Sequence, residues 1–277
     1  MDKTEELIAT IRHGCSSCRV GCKTTDVADA KKGDAVVVRT DRGVEYALIL
    51  TDPRKAEAGE TLPRVEALRP ANAEDLHKQM ALDAEGRSEE FRFCREKIKE
   101  RGLGMKLVRV EKLLGGGRLS FFFMAEARVD FRELVRDLAS EYHMRIELKQ
   151  IGARDEAKLL GDVSYCGREL CCSSWIRDMK PITMRMAKNQ KSTLDPSKIS
   201  GMCGRLLCCL RYEDDVYTEL RRELPKRGAR VKVTSSGKSG VVLHQEVLAS
   251  KCYVLLDQGG TASVQGDDLE VAGAEGS

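Results

Sequence analysis

Alternating apolar and polar positions near the N-terminus predict a β-hairpin. Two short runs rich in β-branched and aromatic residues, Ala35 to Arg39 and Glu45 to Leu50, flank the turn Asp41-Arg-Gly43. Such runs, bounded by turn residues, are typical of paired strands. Three further runs follow near the C-terminus, at residues 227–233, 241–243 and 251–256. The pattern therefore predicts β segments of SH3-like size at the two ends of the chain, which form either two small barrels or two halves of one barrel.

The central part of the chain has the apolar spacing of helices. Apolar positions between Leu76 and Ile98 recur at helical intervals after the capping residue Asn72, and Gly102 ends the pattern. Glycine disfavours a helix interior, so Gly86 predicts a break. The expected long helix is therefore interrupted once.

Strands and one more helix are predicted after this point. Runs at 105–112 and 119–125 flank the turn Gly115-Gly-Gly117, and Asp130 with Glu133 then opens a helix. Strict alternation from Met144 to Lys149 indicates a half-buried strand. These elements predict an α+β fold.

The predicted architecture is a central helix-plus-sheet domain with cysteine-rich loops, flanked by small SH3-like β-barrel modules. We divide the chain into a cysteine-bearing leader, an N-terminal β segment, the α+β domain, a cysteine-rich region, a connecting helix and a C-terminal β-barrel module. These segments comprise residues 1–26, 27–71, 72–163, 164–212, 213–224 and 225–277.

The N-terminal residues and the hydropathy of the chain predict a cytoplasmic protein. Residues 1–10 carry acids where a secretion signal has basic residues, and no apolar run approaches the ~18 residues of a membrane span. We therefore expect no membrane insertion. In a reducing compartment, the eleven cysteines indicate metal binding or redox chemistry more than disulfides.

Positive charge is concentrated in one segment. The net charge of the chain is +3, whereas residues 164–212 hold nine Lys and Arg against three Asp and Glu. This excess of six is compatible with RNA contact or with an acidic protein surface. It also suits a region in which several thiolates gather, because a nearby cation favours the thiolate form.

One seven-residue pattern occurs twice in that basic segment. Cys166-Gly-Arg-Glu-Leu-Cys-Cys172 and Cys203-Gly-Arg-Leu-Leu-Cys-Cys209 start 37 residues apart. Each copy supplies three thiols, and glycine after the first cysteine allows the backbone to approach a bound ion. Arg168 and Arg205 occupy matching positions, where their charge would support thiolates.

The candidate metal ligands are the six cysteines of this pattern: Cys166, Cys171, Cys172, Cys203, Cys208 and Cys209. Zinc and iron–sulfur clusters both accept four thiolates, so the spacing leaves the metal open. A third group, Cys15, Cys18 and Cys22, could supply additional ligands. Cys94 and Cys252 fall on apolar patterns and are predicted to pack in cores.

Catalysis is not predicted. The four histidines lie in unrelated segments, and the chain lacks a His-Glu-x-x-His or phosphate-binding loop pattern. The acids of Arg154-Asp155-Glu156 are explained as helix N-terminal residues.

Three stretches resemble the YaaT (RicT) family, whose members carry a polymerase-suppressor (PSP) C-terminal domain. They are Ile151-Gly-Ala-Arg-Asp-Glu-Ala-Lys158, Met186-Ala-Lys-Asn-Gln190 and Lys198-Ile-Ser-Gly-Met-Cys-Gly-Arg-Leu-Leu-Cys-Cys-Leu210. The resemblance extends from about residue 32 to about 223, and more loosely to 271. The leader with Cys15, Cys18 and Cys22 departs from the family pattern, so no family role is expected for it.

The resemblance implies a non-enzymatic protein. Similar proteins join RicA and RicF in a complex that carries 4Fe-4S clusters and supports mRNA maturation by ribonuclease Y, with effects on sporulation. By motif position, the six cysteines of the repeated pattern are the expected cluster ligands. The runner-up interpretation is a zinc-stabilised protein that binds RNA directly, based on the basic segment and the C-terminal β module.

Overall fold

The computed structural model describes residues 6–15, 18–57, 60–84, 89–176 and 178–271. The chain divides into two compact units, residues 1–173 and 174–277. Each unit contains helices and sheets, which confirms the predicted α+β class. The SH3-like character of the end modules stays a prediction.

The first unit begins with a sheet of six strands. They are β1 (Leu7–His13), β2 (Cys18–Lys23), β3 (Ala35–Arg39), β4 (Val44–Ile49), β5 (Arg54–Lys55) and β6 (Val65–Pro70). The predicted hairpin is confirmed as β3 and β4, which pair antiparallel from Ala35 opposite Leu48 to Arg39 opposite Val44. Every second residue of β4, including Ala47 and Ile49, is buried, as the alternation predicts.

Pairing in this sheet runs in a closed circuit. Strand β1 pairs antiparallel with both β2 and β4, β2 pairs parallel with β6, and β6 pairs with β3. Residues 7–23, predicted as part of a separate leader, therefore supply two strands of the sheet. The reason is visible in β1, where Ile8, Ala9 and Ile11 are buried and need partners from later in the chain.

The rest of the first unit packs helices on a three-stranded sheet. The helices are α1 (Ala73–Ala84), α2 (Glu89–Glu100), α3 (Arg132–Tyr142) and α4 (Ala153–Leu160). The strands β7 (Lys106–Lys112), β8 (Arg118–Met124) and β9 (Arg145–Gln150) lie in the order β7-β8-β9. Phe121, Leu134 and Leu138 are fully buried in the shared core.

Helix boundaries in this region agree closely with the predictions. The Asn72 side chain accepts a 2.8 Å hydrogen bond from the Asp75 amide, and the Asp75 carboxylate accepts one of 2.9 Å from the Asn72 amide. This reciprocal cap starts α1. The predicted break at Gly86 lies outside the described residues. After it, Cys94 and Ile98 of α2 are buried, as predicted.

The second unit contains the remaining long helix and a five-stranded sheet. Helix α5 (Cys171–Ser174) spans the division, and α6 (Met184–Asn189), α7 (Pro196–Ile199) and α8 (Cys208–Glu223) follow. The sheet has the order β13-β12-β11-β10-β14. Its strands are β10 (Arg230–Val233), β11 (Ser239–Glu246), β12 (Lys251–Leu256), β13 (Thr261–Gln265) and β14 (Leu269–Val271).

The connecting helix is longer than predicted. We placed its start at residue 213, whereas α8 begins at Cys208, in the second cysteine pair. The residue before it, Leu207, makes no side-chain cap, so the sequence lacks the usual Ser, Thr, Asp or Asn signal for a helix start. None of the described helices combines the length and apolar character needed to cross a membrane.

Candidate metal centre

The first copy of the repeated pattern forms a tight loop, residues 162–173, which we name the first Cys loop. Val163 and Glu169 form an isolated β-bridge, and Gly167 has a φ of 75°. The Ser164 amide donates to the Arg168 carbonyl at 2.8 Å, and the Gly167 amide donates to the Ser164 carbonyl at 2.9 Å. Cys166 therefore sits at the turn, and the cysteine pair opens α5.

The second copy, residues 199–210, repeats this loop and is named the second Cys loop. Ser200 and Leu206 form the equivalent bridge, and Gly204 has a φ of 72°. The Gly201 amide donates a hydrogen bond to the Arg205 carbonyl at 2.8 Å, and the Gly204 amide donates one to the Gly201 carbonyl at 2.9 Å. The sequence repeat is therefore also a structural repeat, with a helix starting at the cysteine pair in both places.

Two further backbone hydrogen bonds are equivalent in the two Cys loops. In the first Cys loop the Leu170 amide donates to Asp162 at 3.1 Å, and the Ser173 amide donates to Leu170 at 3.0 Å. In the second Cys loop the Leu207 amide donates to Ile199 at 2.9 Å, and the Leu210 amide donates to Leu207 at 3.2 Å. These hydrogen bonds join each loop to its helix, so they fix the position of the turn cysteine relative to the cysteine pair.

The thiols of the first Cys loop differ in exposure. Cys166 is exposed, Cys171 is half-buried, and Cys172 is buried with 7% of its surface accessible. Burial raises the pKa of Cys171, and the neighbouring Cys166 and Cys172 raise it further, while the Arg168 charge lowers it. The charge state of Cys171 is therefore sensitive to both neighbouring thiols and to Arg168.

All three thiols of the second Cys loop are half-buried. A Cβ atom at Gly201 would lie 4.0 Å from the Cys203 sulfur and 3.6 Å from a Leu207 methyl, so the glycine leaves space beside this thiol. Cys208 lines an open groove of about 300 Å³ together with Arg211 and Tyr212. At least one sulfur of the pair is therefore reachable from solvent.

The thiols of the Cys loops are the type of ligand that soft metals bind. Clustered thiols beside arginine are the ligands that zinc and iron–sulfur clusters take. Among the residues that the structure describes, no three His, Cys, Asp or Glu side chains are arranged to hold a single ion. Within the first Cys loop, Cys166 and Cys171 are accessible or partly accessible thiols, whereas Cys172 packs inward.

The third cysteine group divides between a hairpin tip and a core. Cys15 and Cys18 lie at the tip between β1 and β2, whereas Cys22 is fully buried with Val36 and Ala47. Burial raises the pKa of the Cys22 thiol to about 12. Cys22 follows Cys18 by four positions along the strand, about 13 Å at the usual rise, so the two sulfurs cannot bind the same ion.

Core packing is confirmed for two other cysteines. Cys94 and Cys252 are both 0% exposed and belong to hydrophobic clusters of their units. Burial raises the pKa of Cys94 to about 12 and raises that of Cys252 as well. Neither thiol is available for metal chemistry.

A buried charged cluster in the first unit was not predicted. Glu45 accepts a hydrogen bond from Thr40 at 2.7 Å, lies 3.1 Å from Nδ1 of His13, and neighbours Arg42. Arg42 also pairs with Glu111. One sequence signal existed: Glu45 occupies an inward position of β4, in phase with the buried Ala47 and Ile49.

The end of α6, which lies in one of the stretches that resemble the YaaT family, is hydrogen-bonded to α8. The Asn189 side chain donates to Asp214 and Thr218 at 2.9 and 3.1 Å and accepts from Arg221 at 2.6 Å. Gln190 donates to the Leu210 carbonyl at 2.5 Å. The end of α6 therefore holds α8, the helix that starts with Cys208 and Cys209.

Comparisons with known proteins match most of the chain. The PSP1 C-terminal conserved region matches residues 65–151, and the third domain of PSP1-like proteins matches residues 181–224. The stage 0 sporulation protein YaaT of Bacillus subtilis is 46% identical over 213 residues, which cover 75% of each chain. An uncharacterized Schizosaccharomyces pombe protein is 29% identical over 92 residues, 33% of this chain and 12% of that protein. No solved structure matches.

Proposed function

The chain belongs to the YaaT family, and we propose that it is a non-catalytic adaptor that binds 4Fe-4S clusters, with ligands supplied by each of its two Cys loops. The observation that carries the proposal is the structural repeat: two loops share the same bridge, the same left-handed glycine and the same backbone hydrogen bonds. Loops that merely filled a core would not need exposed or half-buried thiols at the turn position and at the first position of the cysteine pair in both copies.

Each Cys loop would contribute one turn cysteine and the first cysteine of its pair. In the first Cys loop these are Cys166 and Cys171, and the repeat assigns Cys203 and Cys208 to the same roles. Arg168 and Arg205 would offset the negative charge of the gathered thiolates. A bound cluster supplies a redox-sensitive centre whose stability depends on its thiolate ligands.

Family membership supports the wider role. We propose that the chain acts in the cytoplasm with RicA-like and RicF-like proteins, in a complex that modulates mRNA processing by a ribonuclease Y-type enzyme. Partner proteins could then supply cluster ligands beyond those of the Cys loops. Reduced thiols are required throughout, which is consistent with a reducing compartment.

Anaerobic purification tests the cluster proposal. We expect brown protein with bound iron and acid-labile sulfide, and the loss of both in a Cys166→Ser, Cys203→Ser double variant. The matched control is Cys94→Ser, Cys252→Ser, which changes two core cysteines and should retain iron in whatever fraction folds. Colourless wild-type protein with stoichiometric zinc would exclude the iron–sulfur assignment.

A zinc-stabilised RNA-binding protein is the second candidate function, because one observation favours it. Trp175 and Tyr212 are 46% and 61% exposed, and their rings pack edge to face with their centroids 4.3 Å apart. Lys180 and Arg211 line the adjacent groove. Exposed aromatic rings beside cations are the usual platform for stacking unpaired bases.

RNA binding by the purified full chain separates the two functions. Direct binding predicts that the affinity for single-stranded RNA falls steeply with salt and falls about 10-fold in Tyr212→Ala, since stacking is worth roughly 1–3 kcal/mol per base. Tyr165→Ala is the control, because Tyr165 is also exposed but lies in the other unit. Weak binding that is equal in all three proteins would favour the adaptor.

A further inference from the structure

A groove of about 250 Å³ in the second unit has a lysine in its wall. The groove is lined by the end of α6 with Lys191, by Tyr217 of α8, and by residues 244–249. All of these residues belong to the second unit and to the described range 178–271. The groove shares no lining residue with the one beside Tyr212, so neither function proposed above uses it.

The backbone at the end of α6 fixes the position of Lys191. Its φ is 52°, its amide donates to the Lys188 carbonyl at 3.1 Å, and the Ser192 amide donates to the Ala187 carbonyl at 3.0 Å. This pair of hydrogen bonds is the Schellman closure of a helix, in which the left-handed position is usually glycine. The turn itself therefore gives no reason for a lysine at this place.

The amine of Lys191 lies against the imidazole of His244. Its Nζ is 3.4 Å from Nδ1 and 3.3 Å from Nε2 of the ring. The in-plane directions from the two nitrogens diverge, so an atom almost equidistant from both lies over the ring face. Nζ also donates to the Gln245 carbonyl. Because an ammonium and an imidazolium in contact repel each other, this contact disfavours charge on both groups.

An arginine adds positive charge to the same wall. Arg221 donates hydrogen bonds of 2.6 Å to the side-chain oxygen and to the carbonyl of Asn189, which lines the groove. Both acceptors are uncharged, so they do not neutralise the guanidinium. The Arg221 Nε is buried and has no hydrogen-bond acceptor among the described residues. The positive charge therefore stays at this position.

The surroundings of Lys191 favour its neutral amine. Burial lowers the pKa of Lys191, and the charge of Arg221 lowers it further. Arg227 acts in the same direction, whereas Cys252 and Glu246 act against it, and the net pKa lies below the ordinary value. Lys191 forms no ion pair with a carboxylate of the described residues. A larger fraction of this amine is thus unprotonated near neutral pH than for an ordinary lysine.

We propose that Lys191 is an acylation site that reacts directly with small acyl phosphates. The open groove admits a small donor, the amine stands in the groove wall, and the fixed guanidinium of Arg221 attracts the phosphate of the donor. A lysine that only joined α6 to the Gln245 carbonyl would not need the contact with His244. The site is independent of the cluster proposal.

The reaction transfers one acyl group to the lysine. The lone pair of Nζ attacks the carbonyl carbon of the acyl phosphate, so that a C–N bond forms and the C–O bond to phosphate breaks. Inorganic phosphate leaves with the bonding electron pair, and the nitrogen releases one proton to solvent. The amide product is uncharged and keeps one N–H. Acylation therefore removes the positive charge of Lys191 from the groove.

Site-resolved mass spectrometry of the full chain tests the proposal. The protein is incubated with acetyl phosphate, denatured, and fully acetylated with deuterated acetic anhydride, after which trypsin cleaves only at arginine. Peptide 186–205 then holds Lys188, Lys191 and Lys198 and no other lysine. Lys188 and Lys198 are exposed and serve as internal references. We expect Lys191 to gain the light acetyl group at least about 5-fold faster, since each unit by which a pKa is lowered increases the neutral fraction ~10-fold.

Two variants at the exposed His244 separate a reactive amine from a structural one. His244→Glu places a carboxylate against Nζ and favours the ammonium, so the rate at Lys191 should fall at least about 5-fold while Lys188 is unchanged. His244→Gln is the matched uncharged control and should stay within about 2-fold of wild type. The proposal is overturned if Lys191 reacts no faster than Lys188 and Lys198 in wild type, or if the Glu and Gln variants react at the same rate.

Discussion

At the scale of single residues, adjacent cysteines of the first Cys loop have different environments. Cys171 is half-buried and interacts with Cys166 and Arg168, whereas Cys172 is 7% exposed. Neighbouring helical side chains point ~100° apart, so one can face a metal while the next faces the core. The sequence shows only that both are cysteines. Their separate roles depend on which way the helix turns at its first residue.

Serine at each of these positions should give opposite results. Cys171→Ser should fold with wild-type stability to within about 0.5 kcal/mol and lose iron. Cys172→Ser should retain iron and lose about 1–3 kcal/mol, because a hydroxyl is buried where a thiol packed. Urea unfolding and iron per chain measure the two properties. Loss of iron in Cys172→Ser at unchanged stability would contradict the assignment.

The matching arginines of the two Cys loops should act through charge. Arg168→Glu or Arg205→Glu places a carboxylate beside thiolates, and like charges disfavour their ionised forms. We expect either variant to retain much less iron than Arg168→Lys or Arg205→Lys, which keep the positive charge. Iron remaining after timed incubation with a chelator is the measurement. Equal retention in the Glu and Lys variants would show that these arginines do not support the site.

The buried Glu45 should make the stability of the first unit depend on pH. Burial alone would raise the pKa of Glu45, but hydrogen bonds from His13 and Thr40 and the Arg42 charge lower it below its ordinary value. A lowered folded-state pKa adds stability above the unfolded value, about 4.5, which is lost as pH falls through the folded value.

Glu45→Gln measures this contribution. Its deficit relative to wild type should be about 1.5–3 kcal/mol near neutral pH, because the hydrogen bonds to the carboxylate are charge-assisted. The deficit should shrink below pH ~4.5. Unfolding free energies from urea titrations at several pH values give the comparison. Glu96→Gln, at an exposed position of α2, should change stability by less than about 0.5 kcal/mol; a pH-independent Glu45→Gln deficit would contradict the linkage.

At the scale of elements, the sequence predicted most helices and strands but not the form of the Cys loops. Strands β3 and β4 and helix α1 follow from alternation and from Asn72, which are local signals. The start of α8 was placed five residues too late, since Leu207 gives no capping signal. That start depends instead on the bridge between Ser200 and Leu206, which a repeated motif does not reveal.

The left-handed glycines of the two Cys loops should be equally sensitive to substitution. Gly167 and Gly204 have φ values of 75° and 72°, and nothing lies within 4 Å of a Cβ at either position. Alanine should therefore cost only the backbone strain, roughly 1–2 kcal/mol in each unit. Gly104→Ala is the control, because its site is equally open without a positive φ. Unfolding free energies that match the control would show that the loops tolerate another conformation.

At the scale of the whole molecule, the pairings between distant segments were not predicted from the sequence. The circuit of the first sheet needs β2 beside β6, which places Cys22 opposite Val65. The buried cluster likewise joins Glu45 to Glu111 through Arg42, across 66 positions from the first glutamate to the second. Alternation within a strand determines which face is buried but not which strand lies alongside. The residue pattern therefore predicted the individual elements more accurately than the strand pairings that close the first sheet.

The division into two units predicts that core substitutions act locally. Leu134 and Leu224 are buried in separate units, so alanine at either should cost about 2–5 kcal/mol in its own unit. Trp175 is the single tryptophan and lies in the second unit, so its fluorescence reports that unit's unfolding. Leu224→Ala should lower the fluorescence midpoint in urea, whereas Leu134→Ala should leave it unchanged and accelerate amide exchange in β7 and β8. The two leucines match in size and burial, so each variant is the other's control. Equal midpoint shifts in both variants would mean that the chain unfolds as one cooperative unit, because strain in one core would then reach the other.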